Sequence, residues 1–268
     1  MDSDRRQFLK KAGGVTLSVI AVSGVSGLLA SCTSEPTKES ADLVSVPWPY
    51  QKLDAIAAAE RGYEAYYNGG CMYGAFEGII GELRDKIGAP YDQFPSAMMK
   101  YGGAGVAGWG TLCGTCNGAA AAIALVHPAE TRNQVISQLY GWYGEEALPD
   151  YKPANPKMES IPTSVAGSQL CHVSVTRWCE ESGYKAASAE RADRCAWLTA
   201  STVKKAVELL NAGATGEIPV VYTVPESVTG CLSCHSKGSS LENIHISNQT
   251  DCESCHSDLE NIHPVSIH

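Results

Sequence analysis

Basic side chains are scarce in this chain. There are 20 Lys and Arg against 29 Asp and Glu in 268 residues, a formal charge of −9. Binding to nucleic acid rests on neutralising phosphates with Lys and Arg, so this balance argues against that partner. Long apolar runs are missing too. The best, Val15 to Ala30, is rich in Gly, Ser and Ala and too short for a confident membrane span of about 20 residues. Methionine is absent beyond Met158. Strand-like runs are few, one or two, with Ile218 to Tyr222 among them. No assembled acid–base pair or nucleophile triad names a reaction.

What the chain does have is cysteine, 11 residues of it, and a crowded C-terminus. Cys231-Leu232-Ser233-Cys234-His235 and Cys252-Glu253-Ser254-Cys255-His256 are both C-x-x-C-H, the signal for covalent haem c. Two thiols at that spacing can add to the two vinyl groups of one porphyrin. The next residue then presents imidazole to iron, so His235 and His256 are the expected proximal ligands. A zinc site built from two C-x-x-C pairs would leave both histidines unexplained. The same Leu-Glu-Asn-Ile-His follows each motif, ending at His245 and at His263. A low-spin haem takes a second axial ligand, commonly His or Met. With no Met available, His245 and His263 are the distal candidates and His268 the spare; the alternative for each is a solvated surface side chain.

The N-terminus reads as an export signal. Asp4-Arg5-Arg6-Gln7-Phe8-Leu9-Lys10 resembles a twin-arginine leader. Leu29-Ala30-Ser31-Cys32 resembles a lipoprotein cleavage box, which would leave Cys32 as the lipidated first residue. Ordinary cleavage nearby, or an uncleaved anchor, is the alternative. The expected location is periplasmic, with contact to a membrane only through this anchor. Residues 1–31 are the signal, 32–47 a flexible tether, 48–215 a helical Cys-rich domain and 216–268 a di-haem segment. Loss of the signal takes the formal charge from −9 to −11. From Pro225 onward six acids face one base, Lys237, which suits a redox partner with a basic docking patch.

Twin-arginine export carries folded proteins, whereas haem c is attached outside the cytoplasm. Another part of the chain should therefore fold first, around a cytoplasmic cofactor. Between Trp48 and Gly213 the apolar period is helical. Met72, Phe76, Ile79, Ile80, Leu83 and Ile87 mark one stripe ending at Gly88. Val135, Leu139, Trp142 and Tyr143 mark another, after Pro128 at a first-turn position. Val203, Ala206, Val207 and Leu210 mark a third, closed by Gly213. Leu148 to Ser164 holds four prolines and reads as a loop. Gly103 to Gly108 matches G-x-G-x-x-G by letter, but no strand precedes it, as a dinucleotide site requires.

Six cysteines remain in this domain: Cys71, Cys113, Cys116, Cys171, Cys179 and Cys195. Iron–sulfur clusters are usually held by four thiolates. Disulfides are the first alternative, since export permits them. A C-x-x-C dithiol at Cys113 and Cys116 is the second. His172, beside Cys171, is more often structural than a ligand, and His127 stands before a helix start.

Taken together, Cys71, Phe94-Pro95 with the glycine run, Leu112-Cys113-Gly114, Asn117-Gly118-Ala119-Ala120, Cys171, Cys195 and the two haem motifs resemble the split-Soret cytochrome c family. The resemblance spans roughly Gly69 to the C-terminus. It implies a homodimer, closely packed bis-His haems, an axial ligand exchanged between subunits, and a helical domain suited to an iron–sulfur cluster. Cys71, Cys113, Cys171 and Cys195 match its cysteine pattern; Cys116 and Cys179 lie outside it. The expected fold is mainly α, a Cys-rich helical domain followed by a small di-haem segment with little regular structure. The expected function is outer-sphere electron transfer through two haem c and an iron–sulfur cluster. Two other functions stay open: a reductase acting at the cluster domain, and a thiol–disulfide module using Cys113 and Cys116.

Overall fold

The computed structural model describes residues 45–239 and Gln249. Helices dominate them. They are α1 (Ala55–Ile87), α2 (Gly114–Val126), α3 (Ala129–Glu145), α4 (Cys171–Ser182), α5 (Ala189–Gly213) and α6 (Glu226–His235). Two 3-10 segments, Tyr91–Gln93 and Ser96–Gly102, carry the chain from α1 into the glycine-rich loop before α2. Among the described residues the one sheet is an antiparallel pair, β1 (Ala147–Leu148) with β2 (Ser164–Val165). It closes the base of the proline-rich loop.

The three stripes are buried as their spacing predicts. Asp54 caps α1, its carboxylate accepting from Ile56 N at 2.8 Å and Ala57 N at 3.2 Å. Met72, Phe76, Ile79, Ile80 and Leu83 are all buried on its second half, and Gly88 ends the helix. The first half is missed by the apolar pattern because small residues, Ala58, Ala59 and Gly62, make its contacts. In α3, Val135, Leu139, Trp142 and Tyr143 face inward; Pro128 stands just before the first turn rather than in it. Ser188 caps α5 by accepting from Arg191 N at 3.1 Å, and Val203, Ala206, Val207 and Leu210 close against α1. A fully buried Leu, Ile or Phe contributes roughly 1.5–3 kcal/mol, so these stripes set the packing of α1 on α5 and α2.

Two expectations change. Ile218 to Tyr222 is extended but joins no strand. The side chain of Gln138 on α3 takes the place of a neighbouring strand. Its Oε1 accepts from Val221 N at 2.5 Å and Tyr222 N at 2.8 Å, and its Nε2 donates to Tyr222 O at 3.1 Å. The second change concerns the C-terminal segment, expected to have little regular structure. The first C-x-x-C-H motif lies on a helix, α6, which follows Pro225 and has Glu226 in its first turn, both favourable at a helix start. Cys252, Cys255, His256, His245, His263, His268 and Cys32 lie outside the described residues. No helix among the described residues is long and apolar enough to cross a membrane.

Candidate metal centre

Cys71, Cys113, Cys171 and Cys195 line one cavity of about 420 Å³. Each comes from a different helix. In α1 the helix breaks at Gly70, where φ is 81° and ψ −179°, a conformation open to glycine and rarely to an L side chain. Cys71 therefore opens a new helical run and is turned into the cavity. Cys113 caps α2 and Cys171 opens α4. The two are drawn together by backbone pairing: Cys113 N donates to Gln169 O at 2.8 Å, Cys171 N to Thr111 O at 2.7 Å and His172 N to Gly110 O at 3.0 Å. Thiolate at a helix N-terminus is favoured by the helix dipole. Cys195 sits in the second turn of α5.

The glycine-rich loop forms the rim. Ala104, Gly105, Val106, Ala107 and Gly108 all have positive φ, with Val106 at 65°. A β-branched residue there is an outlier, costing on the order of 1–3 kcal/mol. The turn is held by Ala107 N to Tyr101 O at 2.9 Å, Gly110 N to Ala104 O at 3.1 Å, and Thr111 Oγ1 to Gly105 O at 2.9 Å. Its outcome is local: the Ala104 N–H reaches the Cys71 sulfur. The letters of a dinucleotide fingerprint here build a left-handed turn, not a strand-to-helix crossover.

Electrostatics differ from thiol to thiol. Burial, then the neighbouring Cys113, pushes Cys71 far up. Burial pushes Cys171 up to about 12, against the pull of Arg194 and Arg191. Cys113 moves the other way. The thiol of Cys116 donates to it, and the Tyr143 hydroxyl, the Thr115 N–H and the Arg194 charge act in the same direction against burial. Cys116 is pushed up, first by its own burial and then by that hydrogen bond. Arg191 bonds to Cys195 and is held protonated by it, against burial.

Of the six cluster candidates, four therefore meet and two do not. Cys116 is fully buried behind Cys113, in the core with Ala119 and Ile123. Cys179 faces the second apolar cluster, around Trp178 and Trp197. The seven cysteines with described side chains form no disulfide. His172 is exposed at the cavity edge, and His127 links α2 to α3, its Nδ1 3.1 Å from Thr131 Oγ1. Among the described residues no three His, Cys, Asp or Glu converge as the ligands of a single ion would. The four thiols surround a volume instead. On α6, Cys234 and His235 are half-buried.

The apolar stripes do not point to Arg191, Arg194, Thr115 and Ser174, and they mark Tyr143 only as core. Arg191, Arg194 and Cys195 stand on one face of α5, a signal visible in the sequence only once Cys195 is known to face a site. Arg194 Nε and Thr115 Oγ1 are buried without a hydrogen-bond partner. A thiol-only donor set beside an uncompensated buried cation fits an anionic, thiolate-held iron–sulfur group.

Comparison with known proteins places these features in a class. A family model described as "Putative redox-active protein (C_GCAxxG_C_C)" matches residues 73–209. Cys113, Cys171 and Cys195 lie within the matched span, and Cys71 just ahead of it. The chain is thus a helical, cysteine-rich redox protein. It is 33% identical over 251 residues to split-Soret cytochrome c of Desulfovibrio desulfuricans, covering 89% of this chain and 90% of the relative. It is also similar to a solved structure described as a novel iron centre in that organism's split-Soret cytochrome c. There the TM-score is 0.74 and the identity 36%, over 79% of this chain and 90% of the other. The chain belongs to the split-Soret cytochrome c family.

Proposed function

We propose that this protein is an extracytoplasmic electron carrier with an iron–sulfur cluster at Cys71, Cys113, Cys171 and Cys195 and two haem c at the C-terminal motifs. The observation that carries the proposal is the meeting of four thiols from four helices around one cavity, beside a buried guanidinium. The solved relative described as having an iron centre supports it. A cluster there would store one electron and pass it by outer-sphere transfer, with no bond made to substrate.

The chain's own residues do the rest. Gly70 and the left-handed turn aim Cys71, and the pairing of Thr111 with Cys171 fixes α2 against α4. Burial of Cys113 limits water at the centre. Cys231 and Cys234 would hold one porphyrin and His235 its iron; Cys252, Cys255 and His256 would hold the other. His245, His263 or His268 would close the second axial positions. Twin-arginine export, a lipid on Cys32, a homodimer and an acceptor with a basic patch belong to the same proposal. The leader supports the first two and the acidic balance the acceptor; the homodimer is what the family resemblance implies.

One observation favours a second function. Cys113 and Cys116 are both buried one turn apart at the start of α2, and their thiols are pushed in opposite directions, Cys113 down and Cys116 up, as in a C-x-x-C dithiol. Burial of both works against exchange with a protein partner.

Counting haem by its pyridine haemochrome, together with non-haem iron and acid-labile sulfide on anaerobically purified protein, tests the proposal. Two haems per chain, with further iron and sulfide, are expected. Two haems and no sulfide would leave the thiols to the dithiol function.

A further inference from the structure

Arg194 is 1% exposed, and its charge has no carboxylate beside it among the ion pairs of the described residues. Its Nη2 donates to Ser174 Oγ at 3.0 Å, and its guanidinium carbon lies 5.9 Å from the Trp178 ring centre. Nε has no partner. The nearest carboxylate in sequence, Asp193, is spent elsewhere: it accepts from Tyr63, Tyr67, Met158 N and Trp197. A buried charge without a counter-charge is costly, several kcal/mol even after relaxation. The side chain lines the same cavity as the thiols of Cys71, Cys113, Cys171 and Cys195. Negative charge inside the cavity is what remains to balance it. Arg191, on the same helix, is different: it is half-buried and donates through Nε to Ala186 O at 2.6 Å.

We infer that Arg194 is a positioning residue for the redox centre, a permanent buried cation that sets its reduction potential by stabilising the more negative, reduced state. This rests on the proposal that the four thiols hold the centre. Reduction adds one electron and no proton here; the guanidinium neither donates nor accepts a proton. Its effect is electrostatic, and in a low-dielectric site it resists screening by salt. Arg191, nearer solvent, contributes a weaker and salt-sensitive share.

The test is a potentiometric titration of the centre, followed by EPR, in the full protein and in Arg194→Gln, Arg194→Lys and Arg191→Gln. Removal of the charge in Arg194→Gln should weaken the reduced state at least tenfold, which is 59 mV for one electron. Arg194→Lys should restore at least half of that shift. Arg191→Gln should shift the potential less, and by an amount that shrinks in high salt. If Arg194→Gln does not fold, Arg194→Met takes its place as the charge-removing variant: a reduced state weakened at least tenfold supports the inference, and a folded variant with the wild-type potential contradicts it. Equal potentials in all four proteins overturn the role of Arg194 alone. A wild type without non-haem iron and sulfide overturns the cluster proposal, and this inference with it.

Discussion

Gly114 and Cys71 stand so close that a methyl group on Gly114 would lie 2.4 Å from Cys71 Sγ. The same methyl would also meet Gly102 O at 2.7 Å and Met72 N at 2.9 Å, so no single side chain can yield to it. The first residue of α2 thus shapes the space in which the α1 thiol sits. Gly114→Ala should destabilise the protein by about 1–3 kcal/mol through overpacking. It should also displace the thiol, so bound non-haem iron per chain falls more than stability alone explains. Thermal unfolding and an iron assay on the same sample check both.

Asp193 should be the costliest buried polar group to remove. It is 1% exposed and accepts from Tyr63 Oη at 2.8 Å, Met158 N at 2.7 Å, Trp197 Nε1 at 3.2 Å and also from the Tyr67 hydroxyl. These bonds tie the proline-rich loop to α1 and α5. Asp193→Ala leaves several buried donors without an acceptor, at about 1–3 kcal/mol each before relaxation. Urea unfolding should show a loss of roughly 3 kcal/mol or more.

The strap from Ile218 to Tyr222 depends on the bare backbone of Gly141. A Cβ there would lie 1.8 Å from Tyr222 Cγ. Gly141→Val should push the strap off α3, breaking its bonds to Gln138. Limited proteolysis should then cut between α5 and α6 faster than in the wild type, with helix content of the body unchanged. Equal cutting rates would contradict this placement.

Alkaline pH should unfold the protein through its tyrosines. Burial pushes Tyr91 up to about 12 and pushes Tyr140 and Tyr143 higher, with the nearby Cys116 and Cys113 adding to the last two. The folded state thus prefers the neutral phenol. That contribution is complete below the ordinary tyrosine value near ~10 and is lost as pH rises through the folded values. Tyrosinate absorbance from these residues should lag and then appear together with loss of helical circular dichroism. Full ionisation near the ordinary value with helix intact would contradict it.

The helical body was legible because its stripes are made of large apolar residues: Phe76, Leu83, Leu139 and Val207 are each buried where the period puts them. The first half of α1 was not, because Ala58 and Gly62 pack closely without an apolar signal. The four cavity cysteines stood out by matching a family pattern, and Cys116 and Cys179 by falling outside it. What separates them in space is helix phase and burial: Cys116 turns into the core behind Cys113, and Cys179 turns to Trp197. The strap reads as a possible strand because extended backbone satisfied by one Gln side chain has the same apolar pattern as a strand. Arg194 was invisible, since a buried unpaired arginine looks like any other in a sequence.

The most direct test of the central claim is the EPR spectrum of anaerobic, dithionite-reduced protein, comparing the wild type with Cys71→Ser and Cys179→Ser. A non-haem cluster signal is expected in the wild type and in Cys179→Ser, and its loss or strong alteration in Cys71→Ser. A wild type without that signal or acid-labile sulfide, or a signal that follows Cys179 rather than Cys71, would contradict it.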